Sequence, residues 1–343
     1  MTSNRSLWKR ITGSKLFWPF VALLLILLFN LVYHPGFYQI EIKDGHLFGS
    51  VIDIFNRGSP LMLLAIGMTL VIATKGVDIS VGPVIAISGA VAASLIGSQI
   101  NTTQTPFALA ILAALGAATL AGLWNGILIS RFGVQPIIAT LILMVAGRGM
   151  AQMITEGQIL NVYYKPFDYI AIGYPLGLPF PVFIVLAVFI LVWLLTRRTA
   201  IGMFIESIGI NASSSFYGGI NEKQVKLLVY TISGFCAGVA GLIVASNIRS
   251  ADGNNAGLFF EMDAILAVVI GGTSMSGGRF SLPGSILGAL IIQSLTTTIY
   301  SVGVPPDVIQ LVKALVVLIV SLMQSTSFRQ IIFGKLLRKE AVS

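Results

Sequence analysis

The 343-residue chain is 56 % apolar and only 10 % charged, against about 25 % charged in an ordinary soluble domain. That balance excludes a water-soluble enzyme built around one or two cores. Its 21 Lys and Arg exceed its 13 Asp and Glu, a formal net charge of +8, and the excess reads as membrane topology rather than as a nucleic-acid surface.

A basic start, with Arg5, Lys9, Arg10 and Lys15, precedes an apolar run over 16–33. The run is too long for a signal-peptide core, and no small-residue cleavage site follows it, so it predicts an uncleaved first helix with its N-terminus in the cytoplasm. Further apolar runs cover 54–73, 81–99, 106–129, 137–155, 180–196, 225–246, 262–276, 283–301 and 307–324. Most are long enough to cross a hydrocarbon core about 30 Å thick. The fold class expected is therefore all-α, a polytopic membrane protein with about ten transmembrane helices, N-in and C-in. The run 262–276 is at the short limit and leads into Gly271-Gly272, which also suits a re-entrant or broken element buried in protein. Residues 1–15 and 325–343 read as cytoplasmic ends, 16–324 as one transmembrane domain, and 197–224 as its longest inside loop.

Loop charges test that parity. Alternation puts fifteen cations inside: Arg5, Lys9, Arg10, Lys15, Lys75, Arg131, Arg197, Arg198, Lys223, Lys226, Arg279, Arg329, Lys335, Arg338 and Lys339. Only Lys43, Arg57, Lys165 and Arg249 fall outside, while Arg148 and Lys313 fall within spans. The asymmetry follows the positive-inside rule.

No Walker-type phosphate loop, H-E-x-x-H, Cys-x-x-Cys or G-x-S-x-G occurs, so neither ATP chemistry nor hydrolysis has a scaffold on this chain. His34 and His46 lie far from other ligand types and read as structural or solvated; no metal site is expected. Cys236 is alone, which excludes an intrachain disulfide. Polar groups within or at the ends of spans draw more interest. Arg148 sits near the middle of its run, where an unpaired charge costs at least ~2.5 kcal/mol. Gln152 shares its helical face and Glu156 continues the row. That face either lines a polar route or holds a neighbouring helix. Asn125, Asn247 and Gln293 carry the same two readings, interhelical hydrogen bond or translocation route. No span carries a chain of acidic groups, which weighs against a proton-driven carrier.

Two glycine-interrupted stretches echo one another: 65–93, broken by Lys75-Gly-Val-Asp-Ile-Ser-Val-Gly-Pro83, and 264–293, broken by 271–283. Such pairs mark transporter cores; Gly, Ser and Pro also simply mark turns. Loop 197–224 is unusual in carrying Ile201, Phe204, Ile205 and Ile208 on one helical stripe. The pattern predicts a short cytoplasmic helix whose apolar stripe docks in another protein's groove.

In that loop, Glu206-Ser-Ile-Gly209-Ile-Asn211 followed by Gly219-Ile220 resembles the cytoplasmic signature of permease subunits of bacterial sugar ABC importers, the ribose/xylose/galactofuranose group. Ser207, Ser214 and Ser215 stand where that signature has alanine. A second signature of the group is matched by Gly76-Val-Asp78-Ile-Ser80-Val-Gly82, with Lys75 where the family usually has glycine. The resemblance extends over residues 16–324, and stretches such as 47–57, 139–149 and 263–272 are most similar to the galactofuranose branch. It implies that Glu206, Gly209, Asn211, Gly219 and Ile220 form the coupling helix that meets an ATPase subunit. It further implies a second permease chain, a periplasmic sugar-binding protein, and ATP and Mg held by the partner ATPase, with no cofactor on this chain. A bacterial inner-membrane importer of a monosaccharide, galactofuranose foremost, is the expected function, the chain itself being non-catalytic. Another monosaccharide such as ribose, or a stand-alone secondary carrier, is the alternative.

Overall fold

A computed structural model describes residues 17–324, apart from 34, 40, 44, 45 and 101. The terminal cations Arg5, Lys9, Arg10, Lys15, Arg329, Lys335, Arg338 and Lys339, and His34, lie outside the described residues. Thirteen α-helices follow in order: α1 Phe17–Tyr33, α2 Ser50–Ala73, α3 Val81–Ile96, α4 Phe107–Ser130, α5 Pro136–Ile154, α6 Lys165–Ile172, α7 Phe180–Arg198, α8 Ile201–Ile210, α9 Ala212–Tyr217, α10 Glu222–Ile248, α11 Phe260–Ile270, α12 Leu282–Ser301 and α13 Pro306–Gln324. The only strands among the described residues form two small antiparallel pairs. One joins β1 Glu41–Lys43 to β2 His46–Phe48; the other joins β3 Ile159–Asn161 to β4 Ser250–Asp252 in the register Ile159↔Asp252.

Among the described residues, six helices (α2, α4, α5, α7, α10 and α12) are long and apolar enough to cross a membrane. The ten full crossings predicted are thus not matched by ten full-length helices. α3 has 16 residues and α11 only 11, and at 1.5 Å per residue α11 reaches about 16 Å, half a hydrocarbon core. Both belong to broken spans, with the missing length supplied by irregular chain. Of the two readings open for 262–276, the short broken element is the one the helix fits: it occupies Phe260–Ile270, and Gly271-Gly272 already lies in the turn beyond it.

α2, α10 and α12 form the enclosed centre, whereas α4, α5 and α7 expose large apolar side chains such as Leu112, Val145 and Leu191 outward. An apolar exposed face needs no covering when the solvent is lipid. Small residues bring α4 and α10 close together. A Cβ on Gly122 of α4 would lie 2.4 Å from the Tyr230 carbonyl oxygen of α10, and one on Gly234 of α10 would lie 2.6 Å from the Ala118 carbonyl oxygen. Backbones this close gain dispersion contact where lipid offers no hydrophobic drive for helices to pair.

Helix directions separate the two faces. α2 runs antiparallel to α12, with Gly58 against Gln293 at one end and Thr69 Oγ1 donating to Ser285 Oγ at 2.6 Å toward the other. The end of α2 at Ala73 meets α8, and Gly278 N donates to the Ala73 carbonyl at 3.0 Å. Lys75, Arg197, Arg198, Lys223, Lys226 and Arg279 flank this face, at the ends or starts of the elements converging there. Arg57 and Arg249 belong to the opposite face. Arg249 leaves α10 in the left-handed conformation and its Nε lies 3.2 Å from the Asp168 carboxylate of α6.

Candidate functional site

The predicted coupling segment is two helices rather than one. Asn211 ends α8 and caps α9: its extended backbone breaks the helix, and its Oδ1 accepts from Ser214 N at 3.0 Å, a capping contact worth about 1 kcal/mol. Ile205 and Ile208 are fully buried, and Ile201 and Phe204 pack half-buried on the core. The apolar stripe expected to fill a partner's groove therefore faces the chain's own interior. What it leaves outward is Met203, Glu206, Ile210, Phe216 and Tyr217, all exposed. Gly219 closes the segment at φ 81°, a left-handed turn that suits glycine, and Ile220 N returns to Ser215 O at 3.0 Å.

Gly209 is the seat of this surface. A Cβ there would lie 2.0 Å from the Ala73 carbonyl oxygen and 2.3 Å from Gly278 N. One backbone contact thus joins α8 to both glycine-interrupted turns, and the faint echo between 65–93 and 264–293 has a physical counterpart. Lys75 ties the same place from the side. Its Nζ donates to the Ile210 carbonyl at 3.2 Å, at the C-terminus of α8, although its φ of 63° is a conformation glycine adopts at no cost. Lys75→Gly, the residue the family pattern favours, is expected to hold or raise the melting temperature of the purified protein, because relief of about 1 kcal/mol of backbone strain offsets an exposed hydrogen bond. Lys75→Val should lower it. Equal loss in both variants would mean that the ammonium, not the backbone, governs this turn.

Within the second signature, Asp78 is buried and fully engaged. Its Oδ1 accepts from Ser80 Oγ at 2.6 Å and Ser80 N at 3.1 Å, and its Oδ2 accepts from Ser233 Oγ of α10 at 2.8 Å. Asn125 Nδ2 of α4 donates to Ser80 Oγ at 2.9 Å. Gly76 sits where a Cβ would strike the Tyr230 hydroxyl at 2.3 Å. Asn125 therefore joins the signature loop, not an open route, and the Asp78–Ser80–Ser233–Asn125 cluster fixes the irregular half-span before α3.

The other irregular half-span, 253–259, is held from α5. Arg148 Nη1 donates to the Ala256 carbonyl at 2.6 Å and reaches the Gly253 carbonyl at 3.4 Å, and Gln152 Nε2 donates to Asn254 Oδ1. Asp252 is kept below the usual carboxylate range: partial burial would raise it, but hydrogen bonds from Asn255 and from the Asn254 and Asn255 N–H groups, with the Arg148 charge, outweigh that. Glu156 lies beyond the end of α5 and does not extend the row. Of the two readings open for Arg148, the geometry favours the bridge. The half-spans themselves meet at Gly82, the second residue of α3, where a Cβ would lie 2.4 Å from Glu261 Oε2. Glu261, in the first turn of α11, is 3 % exposed and lies within electrostatic reach of Arg148. Sequence reasoning missed it, since a glutamate beside Asp263 looks like a helix boundary in water. Lys313, the other cation within a span, pairs with that Asp263 at 2.8 Å.

Asn247 and Gln293 are brought together elsewhere. They line a cavity of about 610 Å³ between α2, α10 and α12, on the face opposite α8, with Asp53 and Arg57 of α2 on one wall and Phe260 at the base of α11. The five polar candidates thus divide into three places: Asn125 at the signature loop, Arg148 and Gln152 on the second half-span, Asn247 and Gln293 in the cavity.

A bundle of apolar helices with paired broken spans is the architecture of a multi-pass membrane permease. Residues 50–321 match the family model described as the branched-chain amino acid transport system / permease component, and the chain belongs to that family. It is 53 % identical to the galactofuranose transporter permease protein YtfT of Escherichia coli (strain K12), over 92 % of this chain and 93 % of that one. It is 40 % identical to the fructose import permease protein FruF of Bifidobacterium longum (strain NCC 2705), over 92 % and 89 %, and 36 % identical to the ribose import permease protein RbsC of Escherichia coli (strain K12), over 89 % and 92 %. No solved structure matches. The resemblance to sugar-importer permeases drawn from the two signatures is borne out along most of the chain.

Proposed function

We propose that this chain is the membrane-spanning permease subunit of an ATP-binding-cassette importer that carries a monosaccharide, galactofuranose, across the bacterial inner membrane. ATP and Mg are held by a separate nucleotide-binding subunit. A second, different permease chain and a periplasmic sugar-binding protein complete the assembly. The observation that carries this reading is the α8–α9 surface: an exposed set of Met203, Glu206, Ile210, Phe216 and Tyr217 mounted on a backbone seat at Gly209. A rigid seat lets a push on this surface move both glycine turns together. ATP binding at the partner then favours one of two arrangements of the half-spans, a population shift rather than chemistry on this chain. The galactofuranose assignment draws on the name of the 53 % identical relative; the fructose and ribose relatives support another monosaccharide as the second reading.

The test is uptake of labelled galactofuranose, ribose and fructose by proteoliposomes holding the assembled transporter. Uptake that requires ATP and prefers galactofuranose is expected. Uptake by this chain alone without ATP would establish a secondary carrier instead, and a preference for ribose or fructose would move the substrate but keep the mechanism.

A further inference from the structure

Resting on that reading, we infer that Gly58-Ser59-Pro60 is a hinge in α2, on which the outer end of the helix swings while its inner part stays fixed. The helix changes character at this point. Every residue from Gly58 to Ala73 is buried, whereas of residues 50–57 only Ile54 is. The buried part is clamped on three sides. Gly278 N donates to the Ala73 carbonyl at 3.0 Å, Thr69 Oγ1 donates to Ser285 Oγ at 2.6 Å, and a Cβ on Gly67 would lie 3.0 Å from the Ser233 Cα of α10. The outer part is an arm on which Asp53, Phe55 and Arg57 are exposed.

Three adjacent residues weaken the helix where the two parts join. Pro60 has no N–H, so the Asn56 carbonyl loses its intrahelical donor, and the ring crowds that same carbonyl. Ser59 Oγ donates back to the Phe55 carbonyl at 2.7 Å, a contact that bends helices. Gly58 adds backbone freedom. Asn56 Oδ1, buried in the same turn, has no hydrogen-bond partner among the described residues. Proline and glycine beside serine are where helices kink, and a kink with one side clamped and the other exposed can serve as a hinge. At 1.5 Å per residue the arm 50–57 is roughly 12 Å long, so a bend of about 20° carries its tip about 4 Å. Ser50, Asp53 and Arg57 of the arm wall the outer cavity, which Pro60 and Tyr300 of α12 also line. Tilting the arm therefore widens or narrows that mouth without disturbing the Gly209 seat at the other end of α2.

Pro60→Ala returns an N–H to the Asn56 carbonyl and puts a strong helix former at the bend. In the assembled transporter it should lower ATP-driven sugar uptake about tenfold, the shift that one regained hydrogen bond gives the straight form. Its melting temperature should hold or rise. Stability and uptake moving apart is what a merely structural proline would not produce. Gly58→Ala should act in the same direction with a smaller loss, because its Cβ would lie 3.2 Å from Gln293 Cγ, part of a flexible side chain. A second measurement reads the motion itself. Spin labels on Phe55→Cys of the arm and Tyr169→Cys of α6, both exposed positions, report the arm's tilt, and the native Cys236 is buried away from the label. Two distances are expected in the assembled transporter, their populations shifting between the nucleotide-free and ATP-bound states, with Pro60→Ala leaving one. A single distance unchanged by ATP would overturn the hinge, as would Pro60→Ala losing uptake only together with its melting temperature. Absence of ATP-driven sugar uptake by the unmodified transporter would instead overturn the importer reading, with the two distances still judging the hinge.

Discussion

Gly209→Arg should abolish ATP-driven sugar uptake while the chain still inserts in the membrane and its partner still hydrolyses ATP. The reason is backbone geometry. With a Cβ placed 2.0 Å from the Ala73 carbonyl oxygen and 2.3 Å from Gly278 N, not even alanine fits, so α8 must lift from both glycine turns. Overpacking of this kind costs roughly 1–3 kcal/mol, small against the burial that holds α2, α10 and α12 together but enough to release a surface helix. Gly209→Ala should therefore share the direction of Gly209→Arg with partial loss, and the far larger arginine should lose coupling entirely. Glu206→Ala separates contact from seating: it touches only the exposed face, so it should weaken association with the nucleotide-binding subunit at low salt and leave the protein's melting temperature alone. Uptake and ATP hydrolysis measured on the same vesicles decide the matter, and unchanged uptake in Gly209→Arg would remove the coupling role from this segment.

The distribution of what the sequence revealed follows from the range of the interactions involved. Apolar runs are local, so α2, α4, α5, α7, α10 and α12 fall where hydropathy places them. Broken spans defeat the same reasoning. In the run 262–276 the Gly271-Gly272 pair left a short span and a broken element both open, while 253–259 looks like a surface loop because Asn254 and Asn255 are polar. Arg148 makes that segment part of a span, and nothing local to 253–259 announces it. The amphipathic stripe of α8 was legible, but a stripe that packs on its own chain and one that packs on a partner have the same composition; only Gly209 and Ile205 in place show the direction. Asp78 was flagged by the second signature, yet its partner Ser233 lies 155 residues away and Asn125, which donates to Ser80, lies 45 residues from that serine, separations at which periodicity carries no signal. Cavity residues Asp53, Arg57 and Tyr300 were missed for the opposite reason: near the ends of helices they look like ordinary interfacial residues.

Arg148→Met is the second large effect to expect, and its cause differs from that of Gly209. The guanidinium holds the Gly253 and Ala256 carbonyls and is the cation whose field reaches the buried Glu261. Removing the guanidinium leaves the Gly253 and Ala256 carbonyls without their donor, and an acceptor left unpaired away from water costs about 1–3 kcal/mol. Arg148→Met should accordingly reduce the yield of folded protein and, in what remains, uptake. Glu261→Gln alone should be milder, since the Arg148 head still has two carbonyls. The pair decides between a bridge and a route. If Arg148 and Glu261 act on each other, the double variant Arg148→Met/Glu261→Gln should recover stability relative to Arg148→Met, a coupling of about 1–3 kcal/mol in a double-mutant cycle of thermal or denaturant unfolding. If Arg148 instead served solute directly, Glu261→Gln would bring no recovery and uptake would fall without loss of stability. The location of Glu261 gives a reason for recovery to extend to transport: its carboxylate sits against Gly82 where the N-termini of α3 and α11 approach one another. Two helix N-termini present positive dipole ends to a negative group between them, so Glu261 and Arg148 together set how firmly the two half-spans are joined. A join that is too loose cannot pass movement from one half-span to the other, and one that cannot form leaves the second half-span without its anchor.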